Sequence, residues 1–428
     1  MKLLERGVVA GIGIVLVVAW PVCAQISSEE APKARTVPVR EEVKQEIEQS
    51  RFHLGSLRVD PVFDLRNLGW NNNVFGAPTN PVGDFTAAVA AGARLIAPLG
   101  SKMFIRGTAV PEYTWYDKTT ELRHFGGTYE GGLVGLFNRM RFDALGGYRS
   151  WVTIVNSESQ ATAIENLTRG RARLEVDIFR RLALFGGFDV AETRYDDKGL
   201  PPVEALQVQL LERTETAWRG GLRYKFSGQV SLGAQVEGTR ANFLQETYDR
   251  DNESTGYLLV ARYDRPRFYL VASGGYREGT AQNAGSLFPP YRTGTYSFFA
   301  SYFLLKSLEL QLYGHRRPVD SYFVDNPYYF ETRTSLGARW TVGQRVALLA
   351  YGTVGPNSYP VEVAAAGNVV TRRDDTTEYG GGIEFRFYRE ATLRVVASDW
   401  KISSNIPGYG QSIFRLSTGI SIKGDFNR

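Results

Sequence analysis

The chain has 428 residues, 43% of them hydrophobic and 13% aromatic, and a formal net charge of +5; its mean hydropathy is -0.24. A helical membrane span needs about 20 consecutive apolar residues, and the one candidate stretch, Gly7 to Trp20, is shorter, so a polytopic helical transporter is excluded. With 3 Met, 3 His and 1 Cys, there is little material for soft-metal sites, thiol chemistry or histidine catalysis, and the charge is too mild to suggest a nucleic-acid partner.

Residues 1–24 read as a signal peptide. Lys2 and Arg6 precede a short apolar core, and Val22-Cys23-Ala24 suits a signal peptidase, so cleavage is expected after Ala24. The mature chain then carries no cysteine, which fits export without disulfides. Residues 25–52 form a polar leader with Pro32 and Pro38. Val39, Val43 and Ile47 recur on one side of a short helix there. So thin a stripe predicts a solvated helix in a periplasmic tail, not a docked one.

From residue 53 to 428 the pattern has period two, the mark of strands with two unlike faces. Leu57, Val59, Phe63 and Leu65 alternate with Arg58, Asp60, Asp64 and Arg66. Gly170, Ala172, Leu174 and Val176 alternate with Arg169, Arg171, Arg173, Glu175 and Asp177. The same contrast recurs at 230–238 and at 331–340. Such strands fit a soluble sandwich or propeller, or a membrane barrel with an apolar outside and a polar lumen. The links decide between them. About eighteen strands (16–18) are joined alternately by short and long connections, as periplasmic turns and extracellular loops alternate in outer-membrane barrels. Asp117–Glu121 is the one connection shorter than its place requires, and Asp196–Leu211 and Gly355–Thr376 are long loops able to fold inward. The expected fold is therefore all-β, a transmembrane antiparallel up-and-down barrel in the outer membrane of a Gram-negative type of cell.

Aromatic residues gather near run ends: Trp70 and Phe75, Tyr113 to Tyr116, Tyr148, Trp151, Tyr224, Phe226, Tyr328 to Phe330, Trp340, Phe387, Tyr388 and Trp400. They are read as interface girdles. Glycine pairs such as Gly146-Gly147, Gly186-Gly187, Gly220-Gly221 and Gly274-Gly275 lie inside strands, where they let the sheet bend; a phosphate loop would instead join a strand to a helix.

The first strand runs into Gly69-Trp70-Asn71-Asn72-Asn73-Val74-Phe75, a second reaches Ala91 to Leu95, and a third ends in Tyr113-Thr114-Trp115-Tyr116. Over residues 54–116 this resembles the β-barrel porin 2 family, in which an Asn-rich turn follows strand one. The resemblance implies an outer-membrane barrel and, for some members, a link to exopolysaccharide export. One departure is the end of the chain, where Phe426 is followed by Asn427 and Arg428.

With the polar faces turned inward, the lumen holds more arginine than carboxylate. Arginine grips carboxylate and phosphate in a fork. The candidate selectivity residues are Arg169, Arg171, Arg173, Arg213, Arg219 and Arg223, with Arg333 and Arg339, and they point to anionic or saccharide solutes. Ladders of Arg and Glu that merely brace the wall are the plainer alternative. His53, His124 and His315 are too scattered for a catalytic set, so no enzyme is expected, and no cofactor or metal. Expected partners are outer-membrane lipids and lipopolysaccharide, the barrel-assembly machinery, and polysaccharide or secretion-system proteins. Three functions stay open: a passive channel, the barrel of a polysaccharide exporter, and a closed structural or receptor barrel.

Overall fold

A computed structural model describes residues 39–50, 52–197, 199–245, 247–286, 288–365, 368–388 and 391–423. The signal segment lies outside the described residues. A helix, α1 (Val39–Gln49), leads into a three-residue strand, β1 (Phe52–Leu54). The first long strands are β2 (Leu57–Asn71), β3 (Asp84–Leu99), β4 (Met103–Tyr116), β5 (His124–Leu136), β6 (Met140–Ile154) and β7 (Thr162–Asp177). β8 (Leu182–Asp196), a short helix α2 (Pro202–Gln209), β9 (Arg213–Lys225), β10 (Val230–Phe243), β11 (Asn252–Arg265), β12 (Phe268–Ala281) and β13 (Tyr291–Leu305) follow. The rest are β14 (Leu308–Asp320), β15 (Tyr328–Val342), β16 (Val346–Ala365), β17 (Asn368–Arg386), β18 (Ala391–Ser404) and β19 (Gln411–Lys423).

Every long strand pairs antiparallel with the next, and β19 closes on β2, with Leu416 opposite Trp70 and Lys423 opposite Val62. The result is a closed barrel of eighteen staves with no free edge. β19 descends only as far as Val62, and β1 continues that edge by pairing with Leu57 to Val59.

The alternation sorts the residues as period two requires. Leu174, Phe188, Trp218, Leu222, Leu259, Leu336 and Ile383 are large apolar side chains left exposed on the outer surface. Charged neighbours in sequence turn inward beside most of them, Arg173 and Glu175 beside Leu174, Asp189 beside Phe188, Arg219 beside Trp218, Arg223 beside Leu222 and Glu384 beside Ile383. That arrangement is the lipid-facing surface of an outer-membrane barrel. Tyr224 packs on Phe226 at 4.9 Å near one rim, and Trp70 on Phe85 at 4.9 Å near the other. Some aromatic residues expected in the girdles are elsewhere: Phe75, Tyr116, Tyr328, Tyr329 and Trp400 are buried. Phe75 lies in the 72–83 loop and joins the apolar cluster there, Tyr116, Tyr329 and Trp400 share the inward parity of Thr114, Glu331 and Ile402, and Tyr328 is covered by Phe288 and Tyr291.

At one rim the links are short turns, for example 100–102 and 266–267. At the other they are longer, including 72–83, 155–161 and 197–212. The expected long loop Gly355–Thr376 is instead strand almost throughout, with Gly355 opposite Thr376 and Ala365 opposite Asn368. Its β-branched run of Val361, Val363, Val369, Val370 and Thr371 favours extended backbone. A hairpin therefore rises above the rim. The leader also departs from expectation: α1 is not a solvated tail, because Val43 is buried against the barrel.

Candidate functional site: the arginine wall and the two mouths

Register places the arginines of β7 and β9 on one inner wall, two strands apart. Arg173 of β7 stands opposite Gly187 of β8, which stands opposite Arg219 of β9. Arg171 lies opposite Leu145 and Asp189, and Arg169 opposite Gly147 and Ala191. Gly147, Gly187 and Ala191 at facing positions leave room for the guanidiniums of Arg169, Arg173 and Arg219. Arg149 of β6 extends the column toward the long-loop rim, lying over the Trp151 ring at 3.3 Å.

Pairing along the column is partial. Arg169 Nη2 donates to Asp189 Oδ1 at 2.8 Å, and Arg171 Nε lies 3.5 Å from Asp143 Oδ2. Among the described residues, Arg173 and Arg219 have no carboxylate within ion-pair distance. The Nε atoms of Arg149, Arg169, Arg171 and Arg173 are buried without a hydrogen-bond partner there. The side chains as a whole stay partly open to the lumen, Arg169 at 39% and Arg171 at 31%, so an entering anion can reach their guanidiniums.

The other predicted arginines fall into different surroundings. Arg223 shares Glu175 with Arg141 at the short-turn end of the wall. Arg213 is buried beneath the α2 loop, bonded to Leu211 O at 2.9 Å and 3.4 Å from both Glu215 and Asp320. Arg333 is buried against Asn357 (2.7 Å) and Thr376 (3.2 Å). Arg339 is held by Glu384 at 3.0 Å. All four are held by partners of their own, so the exposed cationic wall narrows to Arg149, Arg169, Arg171, Arg173 and Arg219. Arg149 is the member that the sequence reading did not single out, although its inward parity and the neighbouring Trp151 were visible.

Above the wall, loops from around the rim converge over the lumen. The Asn-rich turn folds on itself: Asn71 Oδ1 accepts the Asn73 amide at 3.0 Å, and Asn73 exchanges two hydrogen bonds with Ala77 (2.9 and 3.0 Å). Asn72 Oδ1 accepts the Phe414 amide at 2.7 Å. This geometry drives Val74 and Phe75 into an apolar cluster with Tyr116, Leu122, Val155, Tyr195, Leu200, Val208, Leu211 and Tyr322. The expected inward loop at Asp196–Leu211 thus joins the cap through α2. A further inward element, not among the expected ones, is the 155–161 loop, buried throughout. Ser157 bonds Tyr329 of β15, across the lumen, at 3.0 Å, and Arg415 Nη2 of β19 donates to Gln160 at 3.1 Å.

Glu158 sits at the centre of this cap. It accepts from Ser321 Oγ (2.9 Å), Tyr359 OH (2.6 Å) and the Tyr322 amide (3.3 Å), with Arg372 at 3.9 Å. Burial pushes its carboxyl up to about 7, against the pull of Arg372 and these donors. Arg372 stacks among Phe323 (4.4 Å), Tyr359 (4.4 Å) and Tyr409 (4.1 Å). Arg250 ties three loops together, donating to Leu210 O at 2.8 Å, Pro327 O at 3.0 Å and Ser321 O.

The opposite mouth holds α1. Val43 and Ile47 pack on Ile96, Phe104, Val134 and Leu136, and Glu46 pairs with Arg106. By parity all these wall residues face inward. An isolated helix of this length is marginal in water, so its order comes from that seat, where each apolar side chain contributes about 1.5–3 kcal/mol when fully buried. The apolar residues at inward positions of β3, β4 and β5 were the available signal.

No family model matches the chain, and no curated protein does. Solved outer-membrane porins share its fold. A BenF-like porin from Pseudomonas fluorescens Pf-5 superposes with a TM-score of 0.52 at 10% identity, covering 86% of this chain and 99% of that one. Pseudomonas aeruginosa OpdO matches with a TM-score of 0.51 at 12% identity, covering 85% and 97%. Pseudomonas aeruginosa OccK2 (OpdF), solved in complex with glucuronate, gives 0.51 at 13% identity, covering 85% and 98%. The chain has the porin-type barrel fold of the bacterial outer membrane.

Proposed function

We propose that the chain is an outer-membrane channel for small anionic solutes, acidic saccharides among them. The observation that carries this reading is the half-paired arginine column of β6, β7 and β9. Its five guanidiniums are matched only in part: Asp189 and Asp143 lie within ion-pair distance of Arg169 and Arg171, while Glu130 and Glu165 stand near the column without such a contact among the described residues. Successive fork-shaped donors would pass a carboxylate from one arginine to the next. In the same reading the chain is exported with cleavage after Ala24, inserted by the barrel-assembly machinery, and surrounded by outer-membrane lipids and lipopolysaccharide.

The test is the reversal potential of the reconstituted channel under a salt gradient. Anion preference is expected, lost when Arg169, Arg171, Arg173 and Arg219 are changed together to Ala. Cation preference indifferent to those changes would refute the proposal. Glucuronate, the ligand of OccK2, is the first solute to try. A role in exopolysaccharide export extends the same chemistry to a polymer and predicts block of the current by an acidic polysaccharide. Silence from a verified folded barrel would favour the closed structural or receptor reading.

A further inference from the structure

We infer that α1 is a resident plug of the periplasmic mouth, and that its departure from its seat sets how far the channel opens at that end. The observations are independent of the arginine wall. The chain enters the barrel through β1, whose pairing with the first residues of β2 turns the preceding segment back toward the lumen. Ser50 Oγ then bonds Ile47 O at 3.0 Å, and the His53 ring lies 3.2 Å from Ser50 O, fixing the bend between helix and strand. On the helix, Val43 and Ile47 are one turn apart and meet the one group of apolar side chains on the inward faces of β3, β4 and β5. Glu46 adds a charged clasp to Arg106, while Lys44 and Glu48 pair with each other at 3.6 Å on the solvent side.

An inner wall facing only water has no use for Ile96, Phe104, Val134 and Leu136 in a cluster. Their presence where polar residues would be expected is explained by an apolar occupant. Among the described residues the seat is small, two apolar side chains and an ion pair partly open to solvent, whereas the wall is held by continuous strand pairing. The helix can therefore leave while the barrel stays intact. Because Arg106 is an inward arginine, an arriving anion competes with Glu46 for it, coupling solute entry to release. That coupling, and the conductance measurement below, rest on the channel reading; the seat does not.

The test places cysteines at Val43 and Val134 in the full-length protein, where Cys23 is the only native cysteine. Oxidation is expected to join them within the folded barrel and to lower single-channel conductance at least about twofold, with recovery on reduction. Failure to cross-link in a folded barrel, or equal conductance before and after reduction, would overturn the inference. A second readout needs no current. V43C alone should react with a bulky maleimide at least about tenfold more slowly than K44C, one residue along on the exposed side; equal rates would also overturn it. A barrel that is silent both oxidised and reduced refutes the channel reading and the gating with it, and the maleimide rates still judge the seat.

Discussion

Glu158 joins chemistry and structure at the level of one side chain. It is a carboxyl on a loop, fully buried, facing Arg372, Tyr359, Tyr322, Ser321 and, through Tyr359, Asp374. Burial lifts it from an ordinary 4.5 to about 7, so the closed loop binds its proton more tightly than the open one. Linkage gives the sign. The proton's contribution to closure is complete below about pH 4.5 and is lost as pH rises through about 7. Amide exchange of residues 155–161 should therefore quicken between about pH 6 and pH 8 beyond the intrinsic chemical rate. Glu158→Gln keeps an acceptor for Ser321 and Tyr359 but cannot ionise, and its exchange should lose that extra pH dependence. Equal excess dependence in both proteins would place the titrating group elsewhere.

Among the elements, the glycine pairs show how much of a strand's role can be read from the chain. Bending was the expected purpose, yet the two members of a pair differ. In β12 a Cβ on Gly274 would meet only ordinary contacts at 3.9 Å, whereas one on Gly275 would lie 1.9 Å from Tyr257 O of the adjacent strand. Gly275→Ala is expected to destabilise the barrel by about 1–3 kcal/mol through forced backbone displacement, and Gly274→Ala to stay within about 0.5 kcal/mol. The temperature at which the folded band is lost in unheated-versus-heated electrophoresis reports both. Parity made the inward and outward faces legible because period two is a local property of each strand. It could not reveal the left-handed Asn67 (φ 55), where a bulge separates Arg66 from Gly69 in the pairing with β3. Nor could it show that the 355–376 segment continues as strand. The leader helix cannot be read from its own stripe, because the residues that seat it, Ile96, Phe104, Val134 and Leu136, lie far along the chain.

At the scale of the whole molecule, the wall and the cap are separate structures built by different physics. Apart from the β19–β2 seam, the wall is held by main-chain pairing between neighbours in sequence, which is why strand count and order are legible in the chain. The cap depends on contacts such as Glu158 with Tyr359, 201 residues apart, and Gln160 with Arg415, 255 apart, which no local pattern announces. If the two are independent, loosening the cap should change permeability without melting the wall. Arg250 is the place to loosen it, since one buried guanidinium serves carbonyls from the 197–212 and 321–327 loops. Removing it strands those acceptors at about 1–3 kcal/mol apiece, a cost borne by the loops and not by strand pairing. Arg250→Ala should thus raise the swelling rate of proteoliposomes in small sugars severalfold while leaving the thermal transition of the folded barrel within a few degrees. Swelling that stays at the wild-type rate would show that the cap does not limit passage. A fall of the thermal transition alongside faster swelling would show instead that wall and cap fold as one.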